Sequence, residues 1–119
     1  MPWRVVFYED TIGHSPVWEF IFSLSEKHQA KIVRAFELLE EFGLRLGAPY
    51  VRSLSGHRKL WELRVDVGRS TCRVFYFAHT GQRFVMLHGF RKKTRKTPRQ
   101  EIEMAERRMQ DFLNREAEE

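Results

Sequence analysis

The residues of this 119-residue chain best suited to chemistry are cations. Arg64 and Arg73 fall on two neighbouring predicted strands, with Lys59 just ahead of the first. Tyr76 shares the second strand with Arg73, and Arg91, Lys92 and Lys93 follow the last one. Arg58, Arg95 and Lys96 extend the same basic stretches. Guanidinium groups grip phosphate through paired N–H donors, and lysine adds a point charge. Brought together, such groups hold a phosphate and stabilise the extra charge of a phosphoryl-transfer transition state. RNA carries its own nucleophile, the 2′-OH, so a site of this kind could cleave RNA without a metal by aligning that hydroxyl. Proton transfer is the demanding part. A free lysine, with a pKa of about 10.4, is a poor base at neutral pH, and crowding by like charges is what lowers it. The catalytic candidates are therefore Arg64, Arg73, Lys92 and Tyr76. The RNA-binding candidates are Arg58, Lys59, Arg91, Lys93, Arg95 and Lys96. Plainer roles stand beside these. Arg64 is placed to pair with Glu62 or Asp66 on its own strand face, Arg73 can be a structural arginine, Tyr76 a core residue, and Lys92 and Lys93 simple phosphate grips.

The distribution of charge supports the polyanion reading. The formal net charge is +5 and the pI about 9.7. Residues 1–51 carry a balance of −2 and residues 100–119 a balance of −4, whereas residues 52–99 hold thirteen basic and two acidic side chains, a balance of +11. A block this basic inside one domain makes a positive field that attracts polyanions, nucleic acid first among them.

Other chemistries find little support. The single cysteine, Cys72, cannot form an intramolecular disulfide or a paired-cysteine zinc site, and mid-strand among apolar residues it reads as an inert thiol. The five histidines have no ligand spacing on one element, and a carboxylate-bound Mg²⁺ site needs clustered acids that the basic block lacks. No metal or other cofactor is expected. Neither a Gly-rich phosphate loop nor a nucleophile elbow occurs. With no apolar run near the roughly 20 residues of a membrane span and no signal-like N-terminal stretch, the expectation is a cytoplasmic protein without membrane contact.

The elements that must position these cations follow from pattern. The length and the 42% hydrophobic fraction suit one domain, 1–119. Trp3 to Glu9 predicts a first strand. Ser15-Pro16 opens a helix bearing Val17, Phe20, Ile21 and Leu24 on one face. Ser25 to Phe42 predicts a second helix, with Ile32, Phe36 and Leu39 in its stripe, Ser23 or Ser25 as cap and Gly43 as stop. Tyr50 to Leu54 is a short strand. Leu60 to Asp66 alternates, with Trp61, Leu63 and Val65 on one face. Thr71 to Ala78 is apolar on both faces and should be central. A turn at His79–Gln82 leads to a last strand, Arg83 to Phe90, and a basic loop to Lys96. Thr97 is the expected N-cap of the final helix, with Pro98 at its first position and fraying expected from Arg115 onward. The fold class is α+β: a curved, mostly antiparallel sheet with two N-terminal helices and a C-terminal helix packed on it.

Longer motifs join these pieces. Leu54-Ser55-Gly56-His57-Arg58-Lys59-Leu60-Trp61-Glu62-Leu63-Arg64, then Cys72-Arg73-Val74-Phe75-Tyr76, then Leu87-His88-Gly89-Phe90-Arg91-Lys92-Lys93-Thr94 and Thr97-Pro98 run in order through most of the chain. This pattern resembles the RelE/ParE toxin superfamily, in particular its phage-derived, HigB-like branch. The resemblance implies a RelE-like fold and a type II toxin–antitoxin toxin. Toxins of the RelE and HigB kind cut mRNA in the ribosomal A site without metal, with ribosomal RNA around them, and are neutralised by a cognate antitoxin, here one of the helix-turn-helix kind. By motif position Arg73 matches the arginine that binds the scissile phosphate, Arg91 to Lys93 the basic residues after the last strand, and Arg64 the basic position on the preceding strand. The chain departs from the pattern in having no Tyr or His near its C-terminal end, which leaves His57, Tyr76, His88 or a lysine as the general base. A ParE-type gyrase inhibitor and a non-enzymatic nucleic-acid-binding module are the alternatives.

Overall fold

The computed structural model describes residues 2–54, 56–57 and 59–118. Strand β1 (Arg4–Phe7) is followed by helices α1 (Pro16–Phe22) and α2 (Glu26–Phe42), a short 3₁₀ turn (Gly43–Arg45), strands β2 (Val51–Ser53), β3 (Trp61–Val67), β4 (Ser70–His79) and β5 (Arg83–Arg91), and helix α3 (Arg99–Ala117). The sheet order is β1-β5-β4-β3-β2. β2 to β5 form an antiparallel meander, and β1 pairs in parallel with β5. The chain thus starts at one edge, crosses over through α1 and α2 to the other, and winds back. The fold class is α+β, with a mixed five-stranded sheet and β4 at its centre, the place its two apolar faces require.

Alternation along the strands splits the core in two. Cys72, Val74 and Tyr76 of β4 join Leu63 and Val65 of β3 against Val17 and Ile21 of α1 and Ile32, Phe36 and Leu39 of α2. Phe75 and Phe77 face the opposite way and pack with Leu60, Val85 and Phe90 against Ala105, Met109 and Phe112 of α3. The sheet is therefore the middle of three layers. Between β4 and β5 the register slips at Phe75/Tyr76, where Phe75 faces His88 and Tyr76 faces Met86, so Leu87 is an extra residue on β5. This bulge changes the phase of β5 and turns His88 and Phe90 toward α3.

Capping follows the local chemistry. Ser15 caps α1 by accepting from the Trp18 N–H, with Pro16 inside the first turn. Ser25 rather than Ser23 caps α2, accepting from the His28 N–H, while Ser23 donates to the Phe20 carbonyl. Gly43 ends α2 at φ +59°, and a side chain there would meet the Trp3 ring, which stacks on Phe84. Two expectations for α3 need correction. Its N-cap is Pro98, not Thr97, and no side chain caps it, because Pro98 keeps an extended ψ of 136° and the helix begins at Arg99. Nor does it fray from Arg115. Arg115 lies over the Tyr8 ring and bonds Asp111 and the Glu9 carbonyl, and Glu116 pairs with Arg83 at 2.7 Å. These contacts tie the last turn to the segment after β1 and to β5.

Further along α3, Arg108 donates to the Leu87 carbonyl and to Nδ1 of His88, each at 2.9 Å. Because arginine only donates, Nδ1 is the acceptor and Nε2 carries the proton, which it gives to Glu101 at 3.1 Å. Burial, with Arg108 acting the same way, holds the His88 pKa below its ordinary value against the pull of Glu101. No helix among the described residues is long and apolar enough to cross a membrane.

Two predictions follow from this packing. A Cβ at Gly89 would lie 2.5 Å from the Phe20 ring, so Gly89→Ala should lower stability by roughly 1–3 kcal/mol in urea denaturation by displacing α1 from β5. Since the folded pKa of His88 is depressed, the unfolded chain takes up its proton first. Stability should therefore decline as pH falls below about 6.5, and His88→Gln should flatten that decline in denaturation curves taken across the pH range.

Candidate functional site

The start of β4 and the end of β5 lie side by side, with Cys72 opposite Arg91, and the Lys92 N–H extends the ladder to the Thr71 carbonyl at 2.7 Å. The turn before β4 and the loop after β5 rise from this end of the sheet and enclose a cleft of about 670 Å³. Arg69, Ser70, Thr71 and Arg73 line one side, and Arg91, Lys92, Lys93, Thr94 and Arg95 the other. Six of these nine residues are cationic and none is acidic. Arg91 donates to the Ser70 hydroxyl at 3.2 Å, joining the two walls.

Arg73 is the fixed element of the cleft, its side chain only 4% exposed. Nη1 donates to Asp66 Oδ1 and to the Cys72 carbonyl, both at 2.8 Å. Nε faces Glu62 Oε1 at 3.5 Å. Glu62 is fully buried, and the same oxygen stands 3.4 Å from Arg52 Nη2 and 3.9 Å from Arg64 Nε. Strand register explains the gathering: β2 sets Arg52 opposite Glu62, and β3 sets Arg64 opposite Arg73. Two arginines directly across a ladder repel, and a buried carboxylate without counter-charge is costly. Each problem answers the other.

Lys92 is half-buried at the cleft, with its pKa pulled below the usual lysine range. Burial is the main cause, Arg73, Arg52 and Arg64 add to it, and Glu62 opposes it. A larger fraction of neutral amine is thereby present near neutral pH than for a free lysine.

Of the catalytic candidates, the structure unites Arg73 and Lys92 and separates the other two. Tyr76 is a correction. Three residues from Arg73 along a strand is an odd spacing, so its ring points to the opposite face. There it packs edge-on against Phe84 in the α1/α2 core, and burial pushes its hydroxyl pKa well above the phenol range. Arg64 shares Glu62 with Arg73 but lines a different groove, beside Lys31, Arg34 and Tyr50. Arg64 has the pairing with Glu62 that its strand face suggested, and Arg73 is held in place as a structural arginine would be. Of the RNA-binding candidates, Arg91, Lys93 and Arg95 line the cleft. Lys59 sits in the Leu54–Leu60 loop and Lys96 beyond the cleft, where its carbonyl accepts from Thr94. Arg58 lies outside the described residues. The two histidine alternatives for the general base are engaged elsewhere, His57 with Glu106 at 2.8 Å and His88 with α3.

Sequence reasoning passed over Arg69 and Arg52, and saw Glu62 only as a partner for Arg64. Arg69 belongs to the basic block and needed only the turn geometry to count. Glu62 could have been suspected as one of two acids among thirteen basic residues. Among the described residues, no three His, Cys, Asp or Glu side chains come together in a group able to hold a metal ion.

Binding to a fluorescent single-stranded RNA tests the cleft. Replacing Arg91, Lys93 and Arg95 together by alanine should weaken binding and flatten log K against log salt by about 2, at about 0.7 per lost phosphate contact. Lys59→Ala should leave the slope unchanged.

One comparison with known proteins bears on this site. A family model described as "Phage derived protein Gp49-like (DUF891)" matches residues 19–110. The matched span runs from within α1 into α3, covers more than three-quarters of the chain and contains every cleft residue. No curated protein matches the chain.

Proposed function

Because the chain belongs to the Gp49-like family of phage-derived proteins, we propose that it is the toxin of a type II toxin–antitoxin system, with the cleft as a metal-independent endoribonuclease site acting on mRNA at the ribosome. The observation that carries this reading is the convergence of six cations, one of them immobilised, in a cleft whose lining has no acid. The resemblance to RelE and HigB-like toxins supports it independently, since Arg73 and the Arg91–Lys93 run fall on that pattern.

The chemistry needs little from the protein beyond charge, geometry and one base. Arg91, Lys93 and Arg95 grip backbone phosphates at the rim. Arg73 faces the scissile phosphate from the floor, already fixed, so that stabilising the added charge requires no reorganisation. Lys92, in its neutral form, takes the proton of the 2′-OH. The 2′ oxygen forms a bond to phosphorus as the bond to the 5′ oxygen breaks, and the leaving oxygen is protonated from solvent. The products are a 2′,3′-cyclic phosphate and a 5′-hydroxyl end. Access to this cleft is what a cognate helix-turn-helix antitoxin would control, and ribosomal RNA would supply further phosphates to the basic surface.

Primer extension on a translated message after induction should reveal new 5′ ends carrying hydroxyl groups. Lys92→Met should reduce cleavage by about 10²–10⁴-fold, the usual worth of a positioned base, and Arg73→Ala should also reduce it strongly. Growth arrest with intact messages would overturn the nuclease reading and direct attention to gyrase, for which a supercoiling assay is the check.

A further inference from the structure

Glu62 is, among the described residues, the one acid that touches three arginines, and its burial keeps it from touching a substrate. Glu62 is fully buried beneath the floor of the cleft. Its three ion-pair contacts, at 3.4, 3.5 and 3.9 Å, are longer than good charge-assisted hydrogen bonds, and neither of its oxygens accepts one among the described residues. Its influence is therefore exerted through charge and position. Replacing a whole buried ion cluster by apolar residues often costs little stability, whereas losing Glu62 alone would leave the buried Arg73 without one of its two carboxylate partners.

We infer that Glu62 is a positioning residue for the reaction proposed above: it holds Arg73 flat against the cleft floor. Only Arg73, of the three arginines it gathers, lines the cleft. With Nε held toward Glu62 and Nη1 tied to Asp66 and the Cys72 carbonyl, the guanidinium plane is determined. Without Glu62, the Arg64–Arg73 cross-strand pair and Arg52 lose their shared counter-charge, and Asp66, well exposed to solvent, remains to hold Arg73. The same carboxylate reaches Lys92. The charges that act on Lys92 come from each neighbouring strand, Arg52 on β2, Glu62 and Arg64 on β3, and Arg73 on β4. Glu62 alone among them favours the protonated amine.

The inference rests on the endoribonuclease reading, and the test separates the two. In Glu62→Gln, kcat for cleavage of a translated message should fall by about ten- to a hundredfold while KM changes by less than about threefold, the pattern of a lost transition-state interaction. The limb of the pH–rate profile that reports Lys92 should move to lower pH as that opposing charge is lost, while a purely structural role would not produce the loss in kcat at unchanged KM. Unaltered kcat together with an unmoved limb overturns the inference. The Lys92 midpoint is also read directly by NMR of the ¹³C-methylated protein, with Lys92→Arg providing the assignment. If the wild type cleaves nothing, the nuclease reading fails and the inference falls with it; cleavage by the wild type with unaltered kinetics in Glu62→Gln overturns the inference alone. If Glu62→Gln does not fold, Glu62→Asp retains the charge but withdraws it. Its rate and midpoint should then fall partway, and wild-type values in both overturn the inference.

Discussion

The meeting of Glu62 with Arg52, Arg64 and Arg73 is the interaction on which the working end of this molecule depends. Three guanidinium groups converge on one buried carboxylate; Arg73 is buried with it, while Arg52 and Arg64 keep part of their side chains in solvent. Left alone, each arginine would repel the others and the carboxylate would be driven out of the interior. Together they fix the cross-strand register of β2, β3 and β4, since a slip by one residue would move Glu62 to the other face, among the side chains of α1 and α2. The electrostatic anchor and the strand pairing are one constraint seen from two sides.

The three-layer architecture then decides where a cleft can exist. Helices α1 and α2 cover one face of the sheet and α3 the other, so most of β4 is inaccessible. At the start of β4 Ser70 and Thr71 are only partly buried, Arg91 at the end of β5 is exposed, and the loops at that end carry the cations. The bulge at Leu87 contributes at a distance. By turning His88 toward α3, it lets Arg108 and Glu101 clamp that helix to β5. The helix that follows the basic loop is thereby held in place, and the loop is anchored at both ends.

Much of this was legible in the sequence because the signals were local. The Ser15-Pro16 start, the α2 stripe of Ile32, Phe36 and Leu39, and the two-sided apolar run of β4 each appear within a few residues of chain. The basic loop after β5 was legible for the same reason. Where the reading failed, the information was of another kind. Tyr76 was grouped with Arg73 by nearness along the strand, although parity alone places it on the opposite face. The start of α3 turned on one backbone angle at Pro98, and the order of its last turn on contacts from Arg115 and Glu116 to elements far away in the chain.

The residues alone therefore determined the fold class, the central position of β4 and the concentration of positive charge in residues 52–99, because hydrophobic periodicity and charge count are properties of the chain itself. The tertiary structure decided which of those charges act together. It chose Arg69, Arg73, Arg91, Lys92, Lys93 and Arg95, left Lys59 and Arg64 aside, and placed a buried glutamate beneath them. The physical reason is that a site of this kind is made by strand register and by the desolvation of opposite charges. Both depend on what lies across the sheet, and neither is written in the spacing along one strand.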